Sequence, residues 1–396
     1  MTNYLNQISG AIFIVFISIC SADVNAQELK GEQLAEAILY RYQPHINTMT
    51  NKGWDHSNSI VLHAMEKLYA QNHKVEYLDY IQRFVDEFVK PDGTLVEMHT
   101  ELDGIHPAVL CLFLYQETGE EKYKVAAKNM RDFPLGEEGS PSVFQQTPEG
   151  GFWHKNNDHY NQVMTVDGVY MANPFLVKYG MMFNDSIAIN TATFQTLLVS
   201  SHTWNLESHL PYHGWDSSHE KSWANPITGT SSEVWSRCVG WYIMALVDML
   251  AELPETHQDY ADLLYLYQQL AVGVKDNQMS DGLWCQMVNR PEAKGNYPET
   301  SGSGMIIYGL QKGVDKGWLD PSYQQVADRA WGALQNYLVS YKDGYLQVTS
   351  FNPGMGIKDN QEEYLKVRPT VCPSDEKKQH PHGYCAVLMA ASEMEY

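Results

Sequence analysis

Basic residues are few in this sequence. Lys and Arg together number 27, against 48 Asp and Glu, which gives the 396 residues a formal net charge of −21. A surface this acidic repels nucleic acid and anionic membranes. We therefore expect neither a nucleic-acid partner nor a membrane partner, and an anionic substrate would need a local basic site.

Cysteine is also scarce, and its six residues are scattered without paired short spacings. This pattern excludes a disulfide scaffold and a structural zinc site. Cys111 and Cys238 fall in apolar helical runs that are typical of buried thiols. A bridge between Cys372 and Cys385 stays open as an alternative, and Cys285 has no evident partner.

Several catalytic motifs are missing. The sequence has no HExxH helix, no G-x-S-x-G elbow, no Walker loop and no dinucleotide fingerprint. We therefore expect no metal and no cofactor. Acid–base chemistry by side chains is the class of reaction that remains.

Long apolar runs are lacking except near the start, where residues 11–19 are apolar but too few to span a bilayer. Val24 and Ala26 then form a small-x-small cleavage signal. Residues 1–26 are thus predicted to be a signal peptide cleaved after Ala26, so that the protein is exported, either periplasmic or secreted. Lipidation at Cys20 is a weaker alternative because Ile19 is bulky. Residues 27–396 are expected to form one catalytic domain.

What the sequence does contain is a strict alternation of two kinds of helix. Amphipathic helices are predicted at residues 31–42, 75–89, 121–133, 186–201, 259–274 and 323–338. More apolar helices are predicted to begin near Ser57, Ile105, Val163, Arg237, Ser303 and His382. Because no hairpin can bury its apolar face alone, neighbouring hairpins must close around a common core. The pattern predicts an all-α, single-domain (α/α)6 barrel of six inner and six outer helices.

Asp167 is the strongest single clue to function. It stands at the start of an apolar helix, where an unpaired carboxylate is costly unless it is used. The ordinary alternative is an acid that favours the helix dipole.

Loops that lead into the inner helices carry the other candidate residues. Arg237 offers a planar fork for a carboxylate, and Trp235, Trp241 and Trp215 offer flat faces for sugar rings. A structural Arg in a Trp-rich core is the alternative. His154 and His213 suit proton transfer or hydrogen bonding. Glu299 is equally consistent with a site residue and with a helix cap. For His380 and His382 we favour an ordinary loop over a place in the site.

These segments together resemble glycoside hydrolase family 105, the unsaturated rhamnogalacturonyl hydrolases and their relatives. The resemblance rests on Trp153-His154-Lys155, on residues 167–175 and 212–216, and on the stretch from Trp235 through Arg237 to Tyr242. It runs in the same order from about Trp54 to the C-terminus. The family's fold is an (α/α)6 barrel, which agrees with the helix count.

The resemblance implies a hydration reaction on an unsaturated oligosaccharide substrate. Asp167 matches the acid that protonates C4 of a 4,5-unsaturated uronic acid, after which water adds at C5 and the sugar bond breaks. Asp103 matches a second, supporting carboxylate. His154, His213, Trp235, Arg237 and Trp241 match residues that line the family's pocket.

The charge of the uronate and the acid's proton raise two further expectations. Arg237, His213 and Lys155 would offset the negative charge of the uronate inside an otherwise acidic protein. A nearby second carboxylate and partial burial are expected to raise the pKa of Asp167.

The sequence leaves alternatives open for the identity of the substrate and for the class of protein. Thr165 stands where family members often carry an aromatic residue, and the loop at residues 155–161 is longer than usual. Rhamnogalacturonan fragments and ulvan fragments both fit, since both present a uronate linked to rhamnose. Other readings are a periplasmic oligosaccharide-binding protein, or another (α/α)6 sugar enzyme such as an epimerase or a two-carboxylate hydrolase. The oligomeric state is left open.

Overall fold

The computed structural model describes residues 29–98, 100–137, 140, 142, 144–375 and 379–396. The predicted signal peptide, residues 1–26, therefore lies outside the described residues. Within them, twelve helices build the fold. They are α1 (Lys30–Arg41), α2 (His56–Asn72), α3 (Val75–Phe88), α4 (Ala108–Thr118), α5 (Glu121–Leu135), α6 (Gly168–Phe183), α7 (Ser186–Thr203), α8 (Ser236–Glu252), α9 (Tyr260–Asp276), α10 (Thr300–Asp315), α11 (Tyr323–Leu334) and α12 (His382–Met394). Two short helices, Asn47–Thr50 and Gln361–Lys366, lie outside this series.

The six even-numbered helices form a closed inner ring. Each packs against the next, in the order α2, α4, α6, α8, α10 and α12, and α12 returns to pack against α2. The odd-numbered helices pack outside this ring, for example α7 on α6 and α11 on α10. The predicted (α/α)6 barrel and its strict alternation are confirmed.

Burial explains which helices are inside. In α8 every residue from Ser236 to Leu250 is buried, as expected for a helix surrounded by others. In α3 the buried residues recur at helical spacing, with Tyr77, Tyr80, Ile81 and Phe84 on one stripe, so one face meets the core and the other meets solvent. Burial of large apolar side chains at about 1.5–3 kcal/mol each supplies the main driving force for closing the ring.

Three small sheets lie in the long connections that lead from an outer helix to the next inner helix. β1 (Val163–Thr165) pairs antiparallel with β4 (Gly214–Asp216), and β2 (Trp204–Asn205) pairs with β3 (Leu210–Pro211). β5 (Leu338–Ser340), β6 (Leu346–Phe351) and β7 (Thr370–Cys372) form the third sheet.

These strands correct two predicted helix limits. An inner helix was expected near Val163, but residues 163–165 form β1 and the helix begins at Gly168, because the β1 backbone is paired with β4. An outer helix was expected to reach residue 338, but α11 ends at Leu334 and Leu338 opens β5.

Two further features concern the cysteines and the lengths of the helices. All five cysteines after residue 26 are free and buried, so Cys372 and Cys385 do not form a bridge. In the part of the chain that the structure describes, no helix combines the length and the apolar character that crossing a membrane requires.

Candidate active site

The starts of several inner helices converge on one cavity of about 230 Å³. Asp103 comes from the segment before α4, Asp167 from the start of α6, and Arg237 from the first turn of α8. His154, Lys155, Trp235 and Trp241 complete the predicted residues that line it. Seven residues predicted from the sequence therefore line the same cavity.

Asp167 occupies the N-cap position of α6, yet its side chain makes no capping hydrogen bond. The residue is half-buried and lines the cavity, and the thiol of Cys238 lies 3.8 Å from its Oδ1. Gly168 follows it, and a Cβ there would lie 3.0 Å from Nδ1 of His154, so the glycine leaves room for the imidazole. The simple capping role is not supported.

The pKa of Asp167 departs from the expectation. Burial raises this pKa, as does Asp103, but the rings of His154 and His213 and a hydrogen bond from Thr165 outweigh both. The net pKa of Asp167 lies below the ordinary value for an aspartate. The expected rise in the pKa of Asp167 is thus wrong for the protein without substrate. That expectation took account of Asp103 and of burial, but not of His154, His213 and the hydrogen bond from Thr165.

Asp103 is buried in a short 3-10 helix, Leu102–Gly104, and it is surrounded by cationic or protonatable groups. Its carboxylate pairs with Lys155 and lies 3.6 Å from Nδ1 of His56 and 3.8 Å from Nε2 of His154. Although burial opposes it, these neighbours hold the pKa of Asp103 well below its usual range. Asp103 is therefore an anion in the resting site.

Lys155 is already matched by carboxylates of the protein. Its ammonium contacts Asp103 and lies 3.2 Å from Oε1 of Glu101. Lys155 was expected to offset the charge of a bound uronate, but its own charge is already balanced by these two carboxylates.

Arg237 differs from Lys155 because its hydrogen bonds go to neutral oxygens. One terminal nitrogen donates to the Asn352 carbonyl at 2.6 Å and to the Ser301 hydroxyl at 3.3 Å. Its Nε has no protein partner, and its guanidinium lies 4.6 Å from the ring of Trp235. Glu299 anchors this corner from below, since it caps α10 and also accepts from Ser236 and Asn352. The capping reading of Glu299 is confirmed.

The tryptophans divide into two groups. Trp241 lines the cavity and stacks on Tyr170, with ring centroids 5.1 Å apart, while Trp235 lines it and packs on His213. Trp215 is not brought to the cavity. It belongs to β4, stacks on His202 of α7 at 3.7 Å and donates its indole N–H to the Thr228 carbonyl.

His213 stands one layer behind the cavity wall. It is buried, and its Nδ1 shares a hydrogen bond of 2.9 Å with the hydroxyl of Tyr364. Burial lowers the pKa of His213 to about 4, which keeps the ring neutral at pH 7. His213 still reaches the catalytic candidate, because its ligand nitrogen, the Asp167 carboxylate and the Cys238 sulfur all lie within 4.8 Å of one another.

Several residues of the cavity wall were missed or misread. His56 at the start of α2, Tyr160, Met171 and residues 354–356 were not selected, and His382 was read as an ordinary loop residue although it lines the cavity at the start of α12. The signal for His56 and His382 was available, since both open inner helices as Asp167 does. Burial opposes it, but Asp103 and Asp55 raise the pKa of His56 to about 9.

The wall also holds several buried polar atoms that have no hydrogen-bond partner within the protein. They are Nδ1 of His56, Nδ1 of His154, Nε1 of Trp235, Nε of Arg237 and Nδ1 of His382. Buried polar atoms are normally satisfied, so each exception calls for an explanation such as a bound ligand or water. Their concentration around one cavity is typical of a site for a polar ligand.

Comparison with known proteins gives concordant results. A model of Glycosyl Hydrolase Family 88 matches residues 31–396. A structure described as a family 105 glycoside hydrolase of C. acetobutylicum ATCC 824 superposes with a TM-score of 0.83, at 28% identity over 93% of this chain and 99% of that one.

Curated relatives point the same way. "Protein Atu3128" of Agrobacterium fabrum is 36% identical over 235 residues, which is 56% of this chain and 97% of that protein. An "Unsaturated 3S-rhamnoglycuronyl hydrolase" of Alteromonas sp. (strain LOR) is 32% identical over 161 residues, which is 40% of this chain and 35% of that protein. Family model, structural likeness and relatives agree, and the chain belongs to the glycosyl hydrolase family 88/105 enzymes, as the sequence resemblance to family 105 predicted.

Proposed function

We propose that this glycosidase removes a 4,5-unsaturated uronic acid from the non-reducing end of rhamnose-containing oligosaccharides, such as the rhamnogalacturonan or ulvan fragments that polysaccharide lyases release. The observation that carries the proposal is Asp167, a half-buried residue that caps no helix and borders a cavity also lined by Arg237 and Trp241. The relative from Alteromonas, which is named an unsaturated 3S-rhamnoglycuronyl hydrolase, supports this class of substrate.

The proposed reaction begins with proton transfer from Asp167 to C4 of the C4=C5 double bond. Positive charge develops at C5 and the ring oxygen, and water attacks C5 while the Asp167 carboxylate takes up a proton from it. The product is a hemiketal, which opens and expels the neighbouring sugar as its alcohol. One carboxylate serves first as acid and then as base, so the usual separation rule for two catalytic carboxylates does not apply.

Binding of the substrate would prepare Asp167 for its role as acid. A uronate brings a negative charge into the cavity and displaces water, and both effects favour the protonated form of a nearby carboxyl group. Arg237 is the cation suited to the uronate carboxylate, because its Nε is unpartnered and its bonds go to neutral oxygens.

Asp103 is assigned a supporting role. The contacts with Lys155, His56 and His154 keep it anionic, which makes it a hydrogen-bond acceptor and a poor proton donor. It is suited to orient the attacking water or a sugar hydroxyl.

The test compares two uronyl-rhamnose disaccharides that differ only in the C4=C5 double bond. Loss of the ultraviolet absorbance of the enol ether should accompany release of rhamnose from the unsaturated sugar, and the saturated sugar should remain intact. Turnover of the saturated sugar would instead identify an ordinary two-carboxylate hydrolase. Tight binding of the unsaturated sugar without any turnover would identify a binding protein.

The choice between rhamnogalacturonan and ulvan is tested with the same assay. Disaccharides with and without a sulfate on the rhamnose ring are compared by kcat/KM. Preference for the sulfated sugar would favour ulvan fragments, and preference for the unsulfated sugar would favour rhamnogalacturonan fragments.

A further inference from the structure

Three side chains with different ligand chemistry meet behind the cavity wall. The Asp167 carboxylate, an imidazole nitrogen of His213 and the Cys238 sulfur all lie within 4.8 Å of one another. Each comes from a different part of the fold, namely the start of α6, the segment before β4 and the first turn of α8. A carboxylate, an imidazole and a thiol are the three protein groups that bind divalent zinc.

The distances within this cluster suit a single metal ion. Cys238 Sγ and Asp167 Oδ1 are 3.8 Å apart. Two ligands at the usual Zn–S and Zn–O lengths of about 2.3 and 2.0 Å would lie about 3.5 Å apart around a tetrahedral ion. Small side-chain shifts would therefore complete the coordination, and the cavity in front of Asp167 leaves a side open for water as a further ligand.

The orientation of His213 is already fixed by a second contact. Its Nδ1 lies 2.9 Å from the Tyr364 hydroxyl, which leaves Nε2 as the ligand nitrogen. Histidines that bind metals almost always have such a partner on the other ring nitrogen. Tyr364 is itself fully buried and held by Gln286, whose amide donates to the Tyr364 carbonyl at 2.7 Å.

We propose that Asp167, His213 and Cys238 form an inhibitory site for a thiophilic divalent cation such as Zn²⁺. The inhibitory consequence rests on the proposed function, because the ion would occupy the carboxylate that must carry the proton. Binding of the ion itself does not depend on that function. It releases one proton, from the Cys238 thiol, and leaves His213 neutral and Asp167 anionic.

The ligand set predicts which ions act. Thiolate and imidazole favour zinc and cadmium, whereas magnesium and calcium prefer sites made only of oxygen. Zn²⁺ and Cd²⁺ should therefore inhibit at concentrations at which Mg²⁺ and Ca²⁺ have no effect, and a chelator should restore activity.

The decisive experiment measures metal binding directly on the chelator-treated full chain. Zn²⁺ is titrated by calorimetry, and Co²⁺ by the appearance of the thiolate-to-cobalt charge-transfer band, in the wild type and in two matched variants, Cys238→Ala and Cys111→Ala. Cys111 is an equally buried thiol on the inner helix α4 and, among the residues that the structure describes, belongs to no cluster of potential metal ligands.

Loss of the cobalt band and a Zn²⁺ affinity weakened by more than about 100-fold in Cys238→Ala, with both retained in Cys111→Ala, would support the site. This loss should exceed that of Tyr364→Phe, for which about 10-fold is expected because Tyr364 acts only through His213. Cys238→Ser serves in place of the alanine variant if that variant does not fold.

Equal Zn²⁺ affinity in Cys238→Ala and wild type, or no Zn²⁺ binding by the wild type, would overturn the proposal. Neither readout uses an oligosaccharide. A failed turnover assay with unsaturated sugars would thus overturn the proposed function and leave this site standing, and a failed titration would do the reverse.

Discussion

Two regions of the barrel hold buried charge, and they differ in how much of it is paired within the protein. At the mouth, around Asp167 and Arg237, several buried polar atoms have no protein partner. About three helical turns further along the inner helices, roughly 15 Å down the barrel, charged groups are paired with each other. There Lys312 and the Tyr308 hydroxyl each lie 2.6 Å from Asp248.

The difference separates chemistry from support. The deep charges pair with one another, as Glu66 of α2 does with His63 of the same helix at 2.7 Å and with Lys178 of α6 at 3.4 Å, so they also join inner helices to each other. At the mouth Asp103 also pairs with Lys155, but Asp167 and Arg237 border the open cavity. Where polar groups have no partner within the protein and face the cavity, substitution should lower activity. Where charged groups are paired with each other, substitution should lower the free energy of unfolding.

The largest expected effect is on turnover at the mouth. Asp167→Asn should lower kcat by about 10⁴-fold, the upper end for an acid–base group, because one carboxylate is used twice. Its free energy of unfolding should stay within about 1 kcal/mol of wild type, since Asp167 caps no helix. Initial rates on the unsaturated disaccharide and denaturant titration measure both quantities. Appreciable activity in the variant would refute the catalytic role.

The same chemical change deep in the barrel should do the reverse. Asp248→Asn leaves Lys312 buried without its counter-charge and should lower the free energy of unfolding by about 4 kcal/mol. The folded fraction should keep the kcat of wild type. As a control, replacing both partners together, Asp248→Leu with Lys312→Met, should recover most of the loss. A stable Asp248→Asn variant with low kcat would break the division between the two regions.

A smaller effect is expected from the cation at the mouth. Arg237→Gln should raise KM about 30-fold, equivalent to about 2 kcal/mol, because a charge-assisted hydrogen bond to the uronate is lost. Arg237→Lys keeps the charge without the planar fork and should lie between the two. Steady-state kinetics decide the matter, and unchanged KM in both variants would assign the uronate to another residue.

The smallest effect is a pH dependence of stability at His106, which lies between the two regions. Burial, with His63 and His56 nearby, holds the pKa of His106 well below its ordinary value, so the native state keeps this ring neutral. Stability is therefore full above the unfolded pKa of about 6.5 and falls as the pH is lowered through it. One unit below that value the loss is about 1.4 kcal/mol for one histidine.

A variant isolates this contribution. His106→Asn keeps a polar group opposite Ser59, whose hydroxyl lies 2.7 Å from Nδ1, but it cannot titrate. Between pH 7.5 and pH 5.5, thermal unfolding of wild type should lose more stability than the variant does. Parallel losses in both proteins would show that His106 is not neutral in the native state.

The fold was largely predictable because its signal is local and repeated. An inner helix such as α8 is apolar on all sides and an outer one such as α3 on a single stripe, and the alternation of the two types requires closure. The errors fall where pairing between distant segments decides the local structure, as at Val163, which pairs with Asp216.

The site was predictable where a residue opens an inner helix, and less so elsewhere. Asp167 and Arg237 follow that rule, and applying it to every inner helix would also have selected His56 and His382. Trp215 lies in a promising loop, but its pairing in β4 and its stack on His202 turn it to the outer layer. Residues 354–356 reach the cavity from an irregular loop that has no local signature.

Because α12 closes the ring, the cavity is complete only after this helix has packed between α10 and α2. His56 of α2 and His382 of α12 end up 5.9 Å apart at the cavity, although they are separated by most of the chain. Until α12 is inserted between α10 and α2, the inner ring lacks one helix and the cavity has no wall on that side. A chain without α12 would thus contain Asp167 and Arg237 but lack the part of the cavity wall that His382 supplies.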